Sequence, residues 1–150
     1  MIRKNTIIIF LIVFLTGCGF SPIYIKNNDV NFSIELVNLT GDRELNNFLK
    51  TNLSRYKNKN VSNKVFIDAQ SKYDKVVLSK DGTGKITSYQ LKVEVTFVVE
   101  STNKKIRISE KKIMDSMDDK FEEARYERSI KQSFAYSISN KLISELIVNP

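Results

Sequence analysis

YQLKVEVTFVV, residues 89–99, has the clearest periodicity in the chain. Apolar side chains take every second position, namely Tyr89, Leu91, Val93, Val95, Phe97 and Val99. Most of the positions between them are polar, namely Gln90, Lys92, Glu94 and Thr96. A period of two is typical of a β-strand with one face in the core and one face in water. The stretch therefore predicts the central strand of an antiparallel sheet.

The residues just before this strand predict a hairpin. Lys80-Asp81-Gly82-Thr83-Gly84-Lys85 separates two apolar stretches, and its two glycines permit positive φ. Residues 65–78 alternate less regularly, which indicates a strand with a bulge. A phosphate-binding loop is a poor interpretation, because the Gly-Lys-Ser/Thr ending is missing and a strand follows where a helix is needed.

Two segments have helical spacing. The first is predicted at 43–57, after the cap residues Thr40-Gly41-Asp42, with a buried face of Leu45, Phe48, Leu49, Leu53 and Tyr56. The second is predicted at 120–147, with a buried stripe of Ile130, Phe134, Ile138, Leu142 and Leu146, widened by Ile143 and Ile147. Further strands are expected at 30–37 and 106–114. The order βαβββα predicts an α+β fold: a four-stranded, mostly antiparallel sheet with both helices packed on one face.

The N-terminus has the pattern of a bacterial lipoprotein signal peptide. Arg3 and Lys4 precede the apolar run Ile7–Leu15, which is far shorter than the roughly 20 residues of a membrane-spanning helix. The run ends in Leu15-Thr16-Gly17-Cys18, the order of a lipobox. We therefore expect cleavage before Cys18 and its acylation with chains such as palmitate, two or more of which anchor a protein firmly. The alternatives are an unmodified cysteine or an uncleaved anchor.

These boundaries predict three parts: a removed signal peptide at 1–17, a lipidated tether at 18–29 and a single domain at 30–150. Gly19, in place of Asp after the cysteine, favours sorting to the outer membrane by similarity to known lipoproteins. The expected location is the periplasmic side of the outer membrane. An exported chain is not expected to bind nucleic acid, in spite of its net charge of +7.

The composition argues against an enzyme. The chain has no His, and its one Cys is the expected lipid-attachment residue. Most zinc sites, His-dependent acid-base catalysis and Ser-His or Cys-His nucleophiles are therefore excluded. No cofactor or metal is expected. The acidic cluster Asp118, Asp119, Glu122 and Glu123 fits a helix N-terminus better than a cation site.

Basic residues gather at the predicted turns. Lys80 and Lys85 flank the first hairpin, and the others are Lys104, Lys105, Arg107, Lys120 and Arg125. If these turns share one edge of the sheet, they form a cationic rim able to contact the phosphates of an anionic glycolipid. The alternative is a set of solvated lysines. Tyr89, Phe97 and Tyr136 are expected in the core or an interface rather than stacked on a ligand.

Three motifs resemble one family. Cys18-Gly19-Phe20-Ser21-Pro22-Ile23-Tyr24 resembles the mature start of the lipopolysaccharide-assembly lipoproteins of the LptE family. Ser88-Tyr89-Gln90-Leu91 resembles the beginning of that family's central strand. The closing helix is also similar, at Tyr126-Glu127 and Ile143–Leu146.

The resemblance implies a two-helix, four-stranded domain that plugs the outer-membrane β-barrel LptD, assists its assembly and contacts lipopolysaccharide. It implies no covalent chemistry. Lys80 occupies the place of a basic lipopolysaccharide contact before the central strand, with Lys85 close by. The resemblance implies a second contact region before the last helix. There Glu123 occupies a position where a basic residue is expected, and Arg125 is close by in sequence. The alternative is an independent envelope lipoprotein that binds anionic lipid or cell-wall polymer, or scaffolds another complex.

Overall fold

The computed structural model describes residues 32–58 and 61–148. The strands are β1 (Ser33–Gly41), β2 (Lys64–Lys80), β3 (Ile86–Val99) and β4 (Lys104–Asp115), and the helices are α1 (Arg43–Leu53) and α2 (Lys120–Val148). This is the predicted order βαβββα. The predicted signal peptide, Cys18 and the tether at 18–29 lie outside the described residues.

The sheet has the strand order β1-β2-β3-β4. β3 pairs antiparallel with β2 and β4, whereas β1 pairs parallel with β2. The parallel pair follows from the connection, because α1 carries the chain back to the end of the sheet where β1 began. The prediction of a mostly antiparallel four-stranded sheet is confirmed.

Both helices cover one face of the sheet, as predicted. α1 packs against β1 and β2, and α2 packs against α1 and β4. Every apolar residue of the predicted alternation in β3 is buried except Tyr89, which is partly buried against the same core. The stripe of α2 from Ile130 to Leu146 is buried as well. β3 is thus the centre of a single hydrophobic core.

Some details of the elements differ from the predictions, among them β1, which was predicted at 30–37 and spans Ser33–Gly41. α1 ends at Leu53 and a 3₁₀ turn follows at Ser54–Tyr56, so the helical segment predicted to residue 57 changes hydrogen-bonding pattern in its last turn. The bulge expected in β2 lies near its end, between Val77 and Lys80. Ile147 was predicted to be buried, which is wrong: it is 45% exposed, because the core no longer covers that side of the last helical turn.

Among residues 32–58 and 61–148, no helix is long and apolar enough to cross a membrane.

Candidate functional site

The β2–β3 hairpin carries two of the predicted ligand-binding residues, Lys80 and Lys85. Lys80 is the last residue of β2 and is exposed. Asp81 organises the turn, because its Oδ1 accepts hydrogen bonds from the Thr83 N–H at 2.8 Å and the Lys85 N–H at 3.0 Å. Gly84 has φ +85°, the left-handed conformation that favours glycine. The predicted turn is confirmed, and it fixes where both lysines leave the backbone.

Lys85 connects the hairpin to the segment before α2. Its Nζ lies 2.7 Å from Oδ1 of Asp118. This hydrogen bond raises the pKa of Lys85 and lowers the pKa of Asp118. The two side chains are 65% and 90% exposed, so the pair adds little to stability. Lys85 is therefore accessible to a ligand but already has one carboxylate partner.

Arg125, the third predicted binding residue, lies in the first turns of α2. Its Nη1 is 3.0 Å from Oε1 of Glu122, and its guanidinium carbon is 5.9 Å from the centre of the Phe121 ring. Asp119 caps the helix, because its Oδ1 accepts from the N–H groups of Phe121 and Glu122. The acidic cluster thus lies at the N-terminus of α2, where Asp119 is the cap. The described residues contain no group of three or more potential metal ligands.

The prediction of a single cationic rim is wrong. Lys80, Lys85, Lys120 and Arg125 lie towards the end of the sheet that carries the β2–β3 hairpin. Lys104, Lys105 and Arg107 lie at the opposite end, where β3 turns into β4. The reason is geometric: successive turns of an antiparallel meander alternate between the two ends of the sheet. The basic residues therefore form two separate sets.

The hairpin end also exposes apolar side chains that the sequence analysis missed. Val76 is 57% exposed, and it lies in one row with Gln90 and Ile113, which is 59% exposed. Leu78 and Phe121 add further exposed apolar surface. The signal was present in the run Val76-Val77-Leu78, because consecutive apolar residues in a strand place apolar groups on both faces. Cations and apolar groups thus share this end of the molecule.

Glu123 has an internal role that sequence reasoning did not find. It is 5% exposed. Its Oε1 accepts from Lys75 Nζ at 3.1 Å, and its Oε2 accepts from Lys120 Nζ at 3.0 Å and the Met117 N–H at 2.9 Å. Burial by itself raises the pKa of Glu123, but these hydrogen bonds and the charge of Lys75 outweigh it and lower the pKa to about 2. Both carboxylate oxygens of Glu123 thus have hydrogen-bond partners within the fold.

Further polar contacts join β2 to α2 next to Glu123. Lys75 Nζ lies 2.8 Å from Oε2 of Glu127, whose Oε1 accepts the Tyr73 hydroxyl at 2.7 Å. Burial and Glu127 raise the pKa of Tyr73. Lys131 lies over the Tyr73 ring, with 4.1 Å from Nζ to the ring centre. We call Tyr73, Lys75, Glu123, Glu127 and Lys131 the charged network.

Lys131 extends the charged network to the N-terminus of α1. Its side chain is only 11% exposed, and its Nζ lies 3.2 Å from Glu44 and 3.5 Å from Asp42. Asp42 is also the cap of α1, because its Oδ1 accepts from the Leu45 N–H at 2.8 Å. The charged network therefore joins β2, α1 and α2.

We expect Glu123→Gln to destabilise the protein at neutral pH by about 3 kcal/mol, because a carboxylate with a lowered pKa stabilises the fold only while it is ionised. In the native protein this contribution is complete above a pH of about 4.5, the pKa of an unperturbed Glu, and is lost as the pH falls to about 2. Urea unfolding at a series of pH values measures it. The difference between the native protein and Glu123→Gln should shrink as the pH is lowered.

Glu122→Gln is the matched control. Its carboxylate is 52% exposed and, within residues 32–58 and 61–148, forms an ion pair only with Arg125, so we expect a loss below about 1 kcal/mol. A difference between native protein and Glu123→Gln that stays constant from pH 7 to pH 3 would contradict the assignment of Glu123 as the buried ionised group.

Comparison with known proteins places the fold. Neither a protein-family model nor a curated protein sequence matches the chain. The solved structure of the rare lipoprotein B from Shewanella oneidensis is similar over 76% of this chain and 95% of that chain, with a TM-score of 0.53 and 12% identity. At this identity the likeness shows a shared fold.

Two other solved structures give weaker likeness. The uncharacterized lipoprotein B from Nitrosomonas europaea matches over 78% of this chain and 85% of that chain, with 14% identity and a TM-score of 0.49. The minor lipoprotein from Acinetobacter baumannii matches over 75% of this chain and 93% of that chain, also with 14% identity and a TM-score of 0.49.

Proposed function

We propose that the chain is an outer-membrane lipoprotein, anchored through Cys18 on the periplasmic side, which plugs and helps assemble an LptD-type β-barrel and contributes to lipopolysaccharide transport. The observation that carries this is a coincidence of two independent features. The lipobox runs directly into the motif Cys18-Gly19-Phe20-Ser21-Pro22-Ile23-Tyr24, and the domain that follows shares its fold with a protein called rare lipoprotein B.

The uncovered face of the sheet supports the plug. Lys92, Glu94 and Arg107 make ion pairs across it, with Lys92 Nζ 3.9 Å and Arg107 Nε 3.5 Å from Glu94. Such a face suits the polar lumen of a large membrane barrel better than it suits lipid. In this proposal the helices protect the core while the open face meets the barrel wall.

The hairpin end supports a contact with lipopolysaccharide. Lys80, Lys85 and Arg125 supply cations for phosphate groups. The exposed side chains of Val76, Ile113 and Phe121 supply apolar surface near the same end. An amphipathic anion such as lipopolysaccharide needs both kinds of surface.

The second candidate is an independent envelope lipoprotein that binds anionic lipid or cell-wall polymer, or scaffolds another complex. The same cations and apolar groups at the hairpin end favour it, since they suit any amphipathic anion. The two candidates differ in whether a barrel partner is required.

The deciding experiment is a mild-detergent pull-down from native membranes through a C-terminal tag, with the retained proteins identified and quantified by mass spectrometry. Recovery of one large β-barrel in equal amount would support the plug. Recovery of the lipoprotein alone would refute it and leave the second candidate. Cys18→Ala in the same strain tests the anchor separately, because an alkyne-palmitate label should appear on the native chain and be absent from this variant.

We expect Lys80→Glu/Lys85→Glu to weaken binding of purified lipopolysaccharide about tenfold or more, because it replaces two attractive charges with repulsive ones. Folding should be unaffected, since both side chains are exposed. Lys50→Glu/Arg55→Glu makes the same charge change on exposed residues in and just after the last turn of α1 and is the control. If both variants bind lipopolysaccharide equally well, Lys80 and Lys85 have no direct role in ligand binding. The pull-down then still tests whether the protein binds a barrel.

A further inference from the structure

A groove runs between the outer edge of β4 and the last part of α2. Its volume is about 810 Å³. Lys104 to Ser109 form one side, and the α2 residues between Tyr136 and Glu145 that face them form the other. It lies at the opposite end of the sheet from the β2–β3 hairpin, so it is separate from the site described above.

The β4 side of the groove is an open sheet edge. β4 pairs with β3, and no other strand in the described parts of the chain pairs with it. Edge strands present a row of N–H and C=O groups that can pair with another strand. Six residues of β4 give an edge about 20 Å long. This is enough for a short extended segment to pair along it.

The outward side chains of this edge are positively charged. Lys105 is exposed, with no carboxylate within 4 Å in the described residues. Arg107 is 72% exposed, and its partner Glu94 lies 3.5 Å away on the neighbouring strand β3. Further along, Lys111 points to the same face. An added strand would place every second side chain beside these cations, where a carboxylate gives a favourable cross-strand pair.

The inward face of β4 and Tyr136 on α2 favour apolar groups. Ile106 and Ile108 point towards α2 and keep 7% and 8% exposure, the highest values among the core residues of the sheet. Tyr136, across the groove, is 54% exposed and lines it. The inward side chains of an added strand would cover these three residues and remove apolar surface from water.

We propose that the β4 edge between Lys105 and Ser109 binds an extended acidic segment of a partner protein as a fifth strand, with carboxylates beside Lys105 and Arg107 and apolar side chains against Tyr136. Strand addition of this kind derives affinity from backbone hydrogen bonds and specificity from alternate side chains. The inference is independent of the barrel proposal and requires no contact with lipopolysaccharide.

The test uses the full chain in mild detergent and a dye-labelled synthetic octapeptide in which Glu and Val alternate. Fluorescence polarisation should show saturable binding, and amide hydrogen exchange should slow at residues 105–109. Two further probes carry backbone N-methyl groups on every second residue. One is methylated at the odd-numbered residues and the other at the even-numbered residues. Only one register points its N–H groups at the edge, so one methylated probe should bind and the other should not.

Charge reversal provides the second arm. Lys105→Glu/Arg107→Glu should bind the Glu-Val probe about tenfold more weakly and should bind a Lys-Val probe in its place. Lys50→Glu/Arg55→Glu, in and just after α1 near the opposite edge of the sheet, should behave as the native protein does. These substitutions fall on exposed side chains, so folding is preserved and can be checked by circular dichroism.

Several outcomes would overturn the proposal. One is the absence of saturable binding. Another is equal binding of both N-methylated probes, which would mean that the surface attracts any polyanion. Binding of phosphatidylglycerol vesicles that depends on Lys105 and Arg107, without probe binding, would assign the surface to lipid. Slow exchange at residues 105–109 in a dimer without probe would assign the edge to a second copy of the chain.

Discussion

Gly41→Ala is expected to unfold the domain or to lower its free energy of unfolding by about 4 kcal/mol or more, the range reserved for severe backbone or core damage. Gly41 ends β1 with φ +101°, a conformation that L side chains rarely adopt. An alanine Cβ would lie 1.7 Å from the carbonyl oxygen of Ser71. Ser71 pairs with Gly41 on one side and with Val95 on the other, so it cannot retreat without opening the sheet.

Gly84→Ala is the matched control, because Gly84 has a similar φ of +85° but nothing within 4 Å of the added Cβ. It should cost only the backbone strain, about 1–2 kcal/mol. Urea unfolding followed by circular dichroism compares the two variants. If Gly41→Ala costs no more than Gly84→Ala, the close approach to Ser71 does not constrain the fold.

Phe97→Ala is expected to lower the free energy of unfolding by about 3–5 kcal/mol. Among the described residues Phe97 is the largest fully buried side chain, at 0% exposure, and it lies on the inner strand β3. Its removal leaves a cavity under the helices that neighbouring strands cannot close, because β3 is held by hydrogen bonds on both sides. Thermal or urea unfolding measures the loss.

Phe66→Ala removes the same atoms from a site that is 41% exposed on the open face, so we expect a cost of about 1 kcal/mol. If Phe97→Ala does not fold, Phe97→Leu keeps the comparison, with an expected loss of about 1–2 kcal/mol. Equal losses for Phe97→Ala and Phe66→Ala would contradict the central position of β3 in the core.

The elements with strong local periodicity were predictable. Residues 89–99 carry their burial pattern in the order of their side chains, and the α2 stripe from Ile130 to Leu146 does the same with a period of 3.6. The Asp42 and Asp119 caps are also local signals, because each side chain bonds to N–H groups two or three residues ahead. The predicted burial of Ile147 was wrong, because periodicity does not show where along a helix the core ends.

The candidate site was predictable only in part. Lys80 and Lys85 were found from the turn that they flank, but their separation from Lys104 and Lys105 depends on which end of the sheet each turn occupies. The exposure of Val76 and Ile113 depends on which face of the sheet the two helices leave open. Neither property is contained in a short stretch of sequence.

The sequence by itself determined the element order, the core face of β3 and α2, the hairpin at 80–85 and the expectation of a lipid anchor at Cys18, because these depend on residues close together in the chain. Tertiary structure alone decided the role of Glu123, which meets Lys75 across 48 positions, and the parallel pairing of β1 with β2. It also decided that the β4 edge stays open beside α2. These contacts join residues far apart in sequence, so they arise only when packing the core fixes how the helices lie on the sheet.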